Sequence, residues 1–200
     1  MESILKILLP LYLILFFSLV FVLKSYRVWK QTGVNPYRLG KSDNAYDTIG
    51  KAMSFTWGIC VIIVGVHTFS DQIYNLLSPI SWLDIGWINI VGFCIITLSL
   101  CWVFFAQAQM GNAWRVGIDP DNTTNLVQTG VFAHSRNPIF LGMLGLLLGL
   151  LLTLPNAFSI LALGLGVVLL QIQVRLEEDY LLKTCGDTYQ TYFKRVPRWL

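Results

Sequence analysis

A set of long apolar runs constrains this chain more than any other feature. A helix needs about 20 mostly apolar residues to cross a hydrocarbon core. Five stretches of the 200-residue chain approach that length: Ile4 to Leu23, Met53 to Phe69, Ile85 to Ala108, Ile139 to Leu154 and Ala157 to Val174. Lys6 is the one charge inside the first. No small-residue cleavage site follows that run, so it is expected to stay as a span rather than leave as a signal peptide. Composition agrees: 55% of residues are hydrophobic and 12% charged, against roughly 25% charged in an average soluble domain. A soluble globular domain and a disordered chain both fit poorly. The expected fold is an all-α integral membrane protein with five transmembrane helices, a cofactor-binding loop at the cytoplasmic face and a C-terminal helix.

Charge orients the spans. Lys24, Arg27, Lys30, Arg38, Lys41 and Lys51 follow the first span, Arg115 and Arg136 follow the third, and Arg175, Lys183, Lys194, Arg195 and Arg198 follow the fifth. The loop between the second and third holds Asp71 and Asp84 and no Lys or Arg. With five spans, every one of the 14 Lys and Arg except Lys6 falls on one side. The positive-inside rule makes that side cytoplasmic, with the N-terminus outside and the C-terminus inside. The net charge of +3 is small and no basic run tracks a phosphate backbone, so no nucleic-acid partner is expected. Cys60, Cys94, Cys101 and Cys185 lie far apart, outside any C-x-x-C or Cys/His cluster, so neither a disulfide framework nor a metal is expected.

The fourth and fifth spans are joined only by Leu154-Pro155-Asn156, which predicts an antiparallel hairpin. Gly142, Gly145 and Gly149 in one arm and Gly164 and Gly166 in the other either let the two arms pack closely or leave a groove between them. Residues 1–108 form an N-terminal three-span region and 109–200 a catalytic region of loop, hairpin and C-terminal segment. From Glu177 onward a short helix is expected against the cytoplasmic face, then a basic, aromatic tail.

Two polar stretches, Gln109 to Phe140 and Arg175 to Arg198, flank the hairpin on the cytoplasmic side. Pro138 suits the first turn of a helix, where its missing N–H is no loss. That helix start either receives an anion on its free N–H groups or is capped by Asn137 while Arg136 reaches to lipid headgroups. Glu177 and Glu178 stand where the fifth span meets the cytoplasm. Carboxylates near a helix C-terminus oppose its dipole. They either pair with a cation, locally Arg175 or a cationic ligand, or are simply solvated. His134 reads as a loop residue, His67 lies toward the outer end, and Trp114 is a candidate pocket wall.

Three blocks in order carry a resemblance: Gly111-Asn112-x-Trp114; Leu126-Val127-x-x-Gly130-Val131-Phe132 followed by Arg136-Asn137-Pro138-Ile139-Phe140; and Glu177-Glu178, Gly186-Asp187-x-Tyr189-x-x-Tyr192 and Arg195-Val196-Pro197-Arg198. With these the chain resembles the isoprenylcysteine carboxyl methyltransferase and phospholipid methyltransferase group of integral membrane enzymes. The resemblance implies methyl transfer from S-adenosylmethionine to a lipophilic acceptor dissolved in the membrane. Carried over by position, it implies that Thr124, Asn125, Leu126, Val127, Phe132, Arg136, Asn137, Pro138, Ile139, Phe140 and Glu177 bind the cofactor. It makes Glu177, Glu178 and Arg175 the catalytic candidates. This sequence departs from the pattern in three places. Asn137 replaces a histidine, Phe132 and Phe140 replace tyrosines, and Gln173 stands where an arginine tied to a carboxylate substrate would be.

The residue chemistry agrees. A sulfonium nucleoside wants an apolar slot (Leu126, Val127, Phe132, Phe140), donors for its carboxylate (the helix start at Pro138) and negative or aromatic surface near the cation (Glu177). The acceptor stays open among carboxylate, thiol and amine, and membrane lipids are the expected surroundings. Two alternatives are an NADPH-dependent membrane reductase of the sterol-reductase type and a non-catalytic membrane partner. The loop from Gln109 to Asn137 balances Arg115 and Arg136 with Asp119 and Asp121, which is poor in charge for a 2′-phosphate.

Overall fold

A computed structural model describes residues 2–36, 45–114 and 126–200. Among these the regular structure is helical. The first rod comprises α1 (Glu2–Phe16), a π-helical stretch (Phe17–Leu23) and α2 (Lys24–Thr32). Then come α3 (Ala45–Phe69), the short α4 (Asp71–Asn75), α5 (Gly86–Met110), α6 (Pro138–Thr153) and α7 (Ala157–Arg195). Four of these rods are long and apolar enough to cross a membrane. The fourth expected span, α6, has 16 residues. At 1.5 Å per residue it covers about 24 Å, short of a hydrocarbon core of about 30 Å.

α1, α5, α6 and α7 start within two residues of the expected spans, whereas α3 begins at Ala45, eight residues before Met53, and the first rod, α5 and α7 run past their expected ends. The first rod continues past Leu23 because α2 has an apolar face, on which Val28 is buried against Trp114. It stops at Gly33, whose φ of 69° continues no right-handed helix. At the opposite end of the bundle Asn156 caps α7. Its side chain accepts from Ser159 N while the Ser159 hydroxyl accepts from Asn156 N. The expected tight turn is therefore present, and Ile80 N clasps it by donating to Pro155 O at 2.9 Å. Lys6, the one Lys or Arg at this end among the described residues, pairs with Asp71 at 2.6 Å.

Packing corrects one expectation. The glycines of α6 do not face α7; they face α5. A methyl group at Gly149 would come within 2.8 Å of the Gly92 carbonyl, and Gly142 and Gly145 sit against Val103 and Ser99. Close backbone approach in lipid gains dispersion that bulky side chains would forfeit. Only Gly166, against Leu147, serves the α6–α7 contact in this way. The buried Gln107 amide on α5 donates to Val20 O in the π-helical stretch at 3.1 Å. A π turn leaves a carbonyl without its usual ladder donor, and within lipid that group must find a partner.

The C-terminal helix is not a separate element. α7 runs unbroken from the apolar stretch into residues 175–185, which are rich in helix-favouring Leu, Glu and Lys. Its one non-helical residue is Gly186, at φ 51° and ψ −128°. That conformation is open almost only to glycine, and it turns the last two turns of α7 back across the mouth of the bundle.

Candidate active site

The site arises from a difference in helix length. Trp102 Nε1 donates to Pro138 O at 2.8 Å, and Gly142 packs against Ser99 and Val103, so the start of α6 stands beside the last turns of α5. α5 continues past it to Met110. The start of α6 is thus recessed below its neighbour. Pro138 occupies the first turn as expected, but Asn137 makes no side-chain cap. Its amide donates instead to Arg198 O at 3.2 Å. The first N–H groups of a helix have no intrahelical partner; here Asn137 N donates to Ser135 Oγ at 3.2 Å and Pro138 has no N–H, so the start offers the recess those of Ile139 and Phe140.

Residues 126–137 close over the recess. Gly130, at φ 64°, lies where any side chain would strike Gln109, and the Gln109 side chain accepts from Val131 N at 2.7 Å. The Tyr192 hydroxyl, buried and raised to about 12 chiefly by that burial, donates to Phe132 O at 2.6 Å. The space enclosed is a cavity of about 260 Å³.

Leu126, Val127, Phe132, Arg136, Asn137, Pro138, Ile139, Phe140 and Glu177 all line this cavity, as does Trp114. Thr124 and Asn125 lie outside the described residues. Phe21, Met53, Trp57 and Gln107 line it too and were not singled out by sequence, while Gln173 and Tyr189, named there only as motif positions, also line it. For Phe21, Met53 and Trp57 the sequence holds no signal, because they are apolar residues in apolar spans. Gln107, an amide inside such a span, was a readable one. His134 is exposed on the loop, and His67 is buried at the opposite end with its ring 5.1 Å from Tyr74.

The two adjacent acids have separate environments, because successive helix residues point about 100° apart. Glu177 faces the cavity. The apolar crossing part of α7 ends at Val174, so this carboxyl lies just past it. Burial raises it to about 7, and a hydrogen bond from Gln173 Nε2 at 3.0 Å pulls the other way. Glu178 faces away and is buried in an ion triad. Its Oε1 is 2.9 Å from Arg136 Nη2 and its Oε2 is 2.6 Å from Arg198 Nη2. Arg136 also donates to Phe193 O at 2.7 Å and lies 3.8 Å over the Phe193 ring. Its backbone N–H donates to Pro197 O at 3.0 Å.

Three expectations change here. Arg136 does not reach to headgroups; its side chain is 6% exposed. Asn137 is not a cap. Arg175 is not the partner of Glu178 and does not line the cavity. It is exposed and donates to Gln171 O at 2.8 Å and Gln171 Oε1 at 3.0 Å. Long helical side chains lean toward the helix N-terminus, which carries Arg175 back to Gln171 rather than forward to Glu178.

The cavity wall therefore offers aromatic and aliphatic faces, an uncapped helix start and one carboxylate not held in an ion pair. Arg136, the cation among its described lining residues, is already engaged by Glu178. Such a surface suits a ligand with an apolar body and a positive centre. Fold and cavity together define an integral membrane protein with a small-molecule site at one mouth of a helical bundle. Over residues 87–188, just over half its length, the sequence matches the phospholipid methyltransferase family, and the chain belongs to that family. It is a methyltransferase of the membrane. No curated protein matches the sequence.

Proposed function

We propose that the protein methylates a lipid amine at the cytoplasmic membrane face, using S-adenosylmethionine. The observation that carries this reading is Glu177, a half-buried carboxylate raised to about 7 in a mostly apolar cavity beside a helix start without a side-chain cap from Asn137. The donor set fits the cofactor: Glu177 for the positive centre, Trp114, Phe132 and Phe140 for a flat apolar ring, and the first N–H groups of α6 for a carboxylate. When bound, S-adenosylmethionine supplies a methyl group already activated by a positive sulfur. The protein's own work is to bind, align and exclude water. Loop 126–137 and the tail beyond Gly186 cover the recess. Glu177 takes the proton that an amine must lose, which requires it to be ionised before transfer.

An amine is favoured over a carboxylate acceptor for a charge reason. Binding a carboxylate needs a free cation, and Arg136 is already engaged by Glu178 at 2.9 Å. Gln173, where an arginine would serve a carboxylate, instead donates to Glu177. The catalytic region spans 109–200 together with a wall from α3. Orientation follows from charge: the Lys- and Arg-rich mouth is cytoplasmic, so the soluble cofactor and the membrane-dissolved acceptor reach one cavity from different sides. Glu177 is the catalytic residue in this reading, and Glu178 and Arg136 hold the loop in place. The experiment is a thermal titration of the solubilised protein with S-adenosylhomocysteine and with NADPH, alongside isotopic methyl transfer into an ethanolamine phospholipid. Stabilisation by S-adenosylhomocysteine alone, with label in the lipid head group, is expected. Stabilisation by NADPH alone replaces the reading with a reductase.

A further inference from the structure

A second space lies beyond the floor of the cavity. Trp57 on α3 lines the cavity and also lines this second cleft of about 40 Å³. The lining runs on in the same direction on three helices: from Trp57 to Cys60 on α3, from Gln107 to Ile96 on α5, and from Met143 to Leu146 on α6. The second cleft lies within the apolar, membrane-crossing lengths of these helices, and its walls are aliphatic and aromatic. Trp57 separates the two spaces. It is 7% exposed and packs on Phe16 with ring centroids 4.7 Å apart.

An apolar gap between packed helices forfeits dispersion on every wall atom. In a bilayer the matter at hand to fill it is hydrocarbon, and only Trp57 stands between this gap and a cavity that would hold a lipid head group. We propose that the cleft takes the far end of the acceptor's hydrocarbon chain and that Trp57 sets the chain length accepted. This rests on the lipid-acceptor reading above and extends it. The indole is a stop for a short chain. A longer chain needs the indole to turn aside before its end reaches Leu146 and Ile96.

The test compares Trp57→Ala and Leu146→Phe with the parent protein on ethanolamine phospholipids of graded chain length. One methylene more or less in an apolar pocket is worth about tenfold in discrimination at the low end. Trp57→Ala should raise the long-to-short ratio of methyl transfer by about tenfold, and Leu146→Phe should lower it by about tenfold. Ratios unchanged in both variants overturn the proposal. Leu146→Phe overpacks a core and can fail to fold, so a second readout uses the parent protein. An acceptor lipid with a photoactivatable group at its chain end should cross-link to the segment around Leu146. Label confined to bilayer-facing residues such as Ile7 and Ile14, 70% and 62% exposed, overturns it. If the parent transfers methyl to none of these lipids while S-adenosylhomocysteine still stabilises it, the amine reading has failed, and the cross-link alone decides the cleft.

Discussion

The two ends of this bundle both bury polar groups, and they use them differently. At the Asp-bearing end the polar atoms close on the backbone and on one another. Asn156 serves Ser159 N and Leu154 O, Asn89 donates to Asp84 and Thr153 O, and the Thr153 hydroxyl donates to Gly149 O. These contacts end helices and pin a turn. At the basic end the Arg136–Glu178–Arg198 triad ties the loop over the recess to the chain terminus. Next to it stands a carboxylate with one hydrogen bond and an open cavity in front of it. Burial alone therefore does not mark function. The mark is a buried ionisable group whose partner set is incomplete and whose free side faces space.

Four substitutions can break or sharpen that contrast. Glu178→Gln has the largest effect, because it leaves Arg136 buried with its charge uncompensated. A loss of about 3–5 kcal/mol is expected, read as a large fall in melting temperature. An unchanged melting temperature would place the triad among decorative contacts. Glu177→Gln does the opposite. It leaves the melting temperature near that of the parent and lowers methyl transfer by about 100-fold or more, the scale of a lost general base. The same residue sets a pH dependence. Its carboxyl is raised to about 7 by burial, so the ionised form, and with it transfer, grows as pH rises through that value. A bound cation draws the midpoint lower. The profile should flatten in Glu177→Gln; a profile of the same shape in both proteins removes Glu177 from the proton step.

Gly186→Ala tests whether the tail must bend back. A side chain at φ 51° and ψ −128° costs about 1–3 kcal/mol. Nothing lies within 4 Å of the added methyl, so the loss is backbone strain and not a clash. Both stability and transfer should fall, since the bent tail carries Tyr192 and Arg198. The smallest effect belongs to the other end. Asn156→Ala removes a helix cap worth about 1 kcal/mol, seen in thermal unfolding, with transfer per folded molecule unchanged.

Sequence reading reached the spans because hydropathy is a local property and each run carries its own signal. It placed Pro138 at the start of α6 and Asn156 before α7 for the same reason: caps are written within four residues. It also gathered Leu126, Phe132, Asn137, Phe140 and Glu177, which share one cavity wall although α6 and much of α7 separate them in the chain. It could not divide Glu177 from Glu178. As letters they are alike, and only the 100° turn between them sends one to the cavity and the other to two arginines. It could not assign the glycine stripe to α5, since any helix could have been the neighbour. Nor could it foresee Trp57, because an apolar residue in an apolar span looks the same facing lipid, core or ligand.

What the chain's letters determined, then, is an all-helical membrane protein of the phospholipid methyltransferase family with a basic and an acidic end. Composition, run length and motif order suffice for that. Tertiary structure alone decided that a 16-residue helix starts below the end of a 25-residue neighbour, and so opens a cavity. It decided as well that Arg136 closes an ion triad rather than meeting lipid. Both depend on where helices stand relative to one another, which is set by packing between segments far apart in sequence.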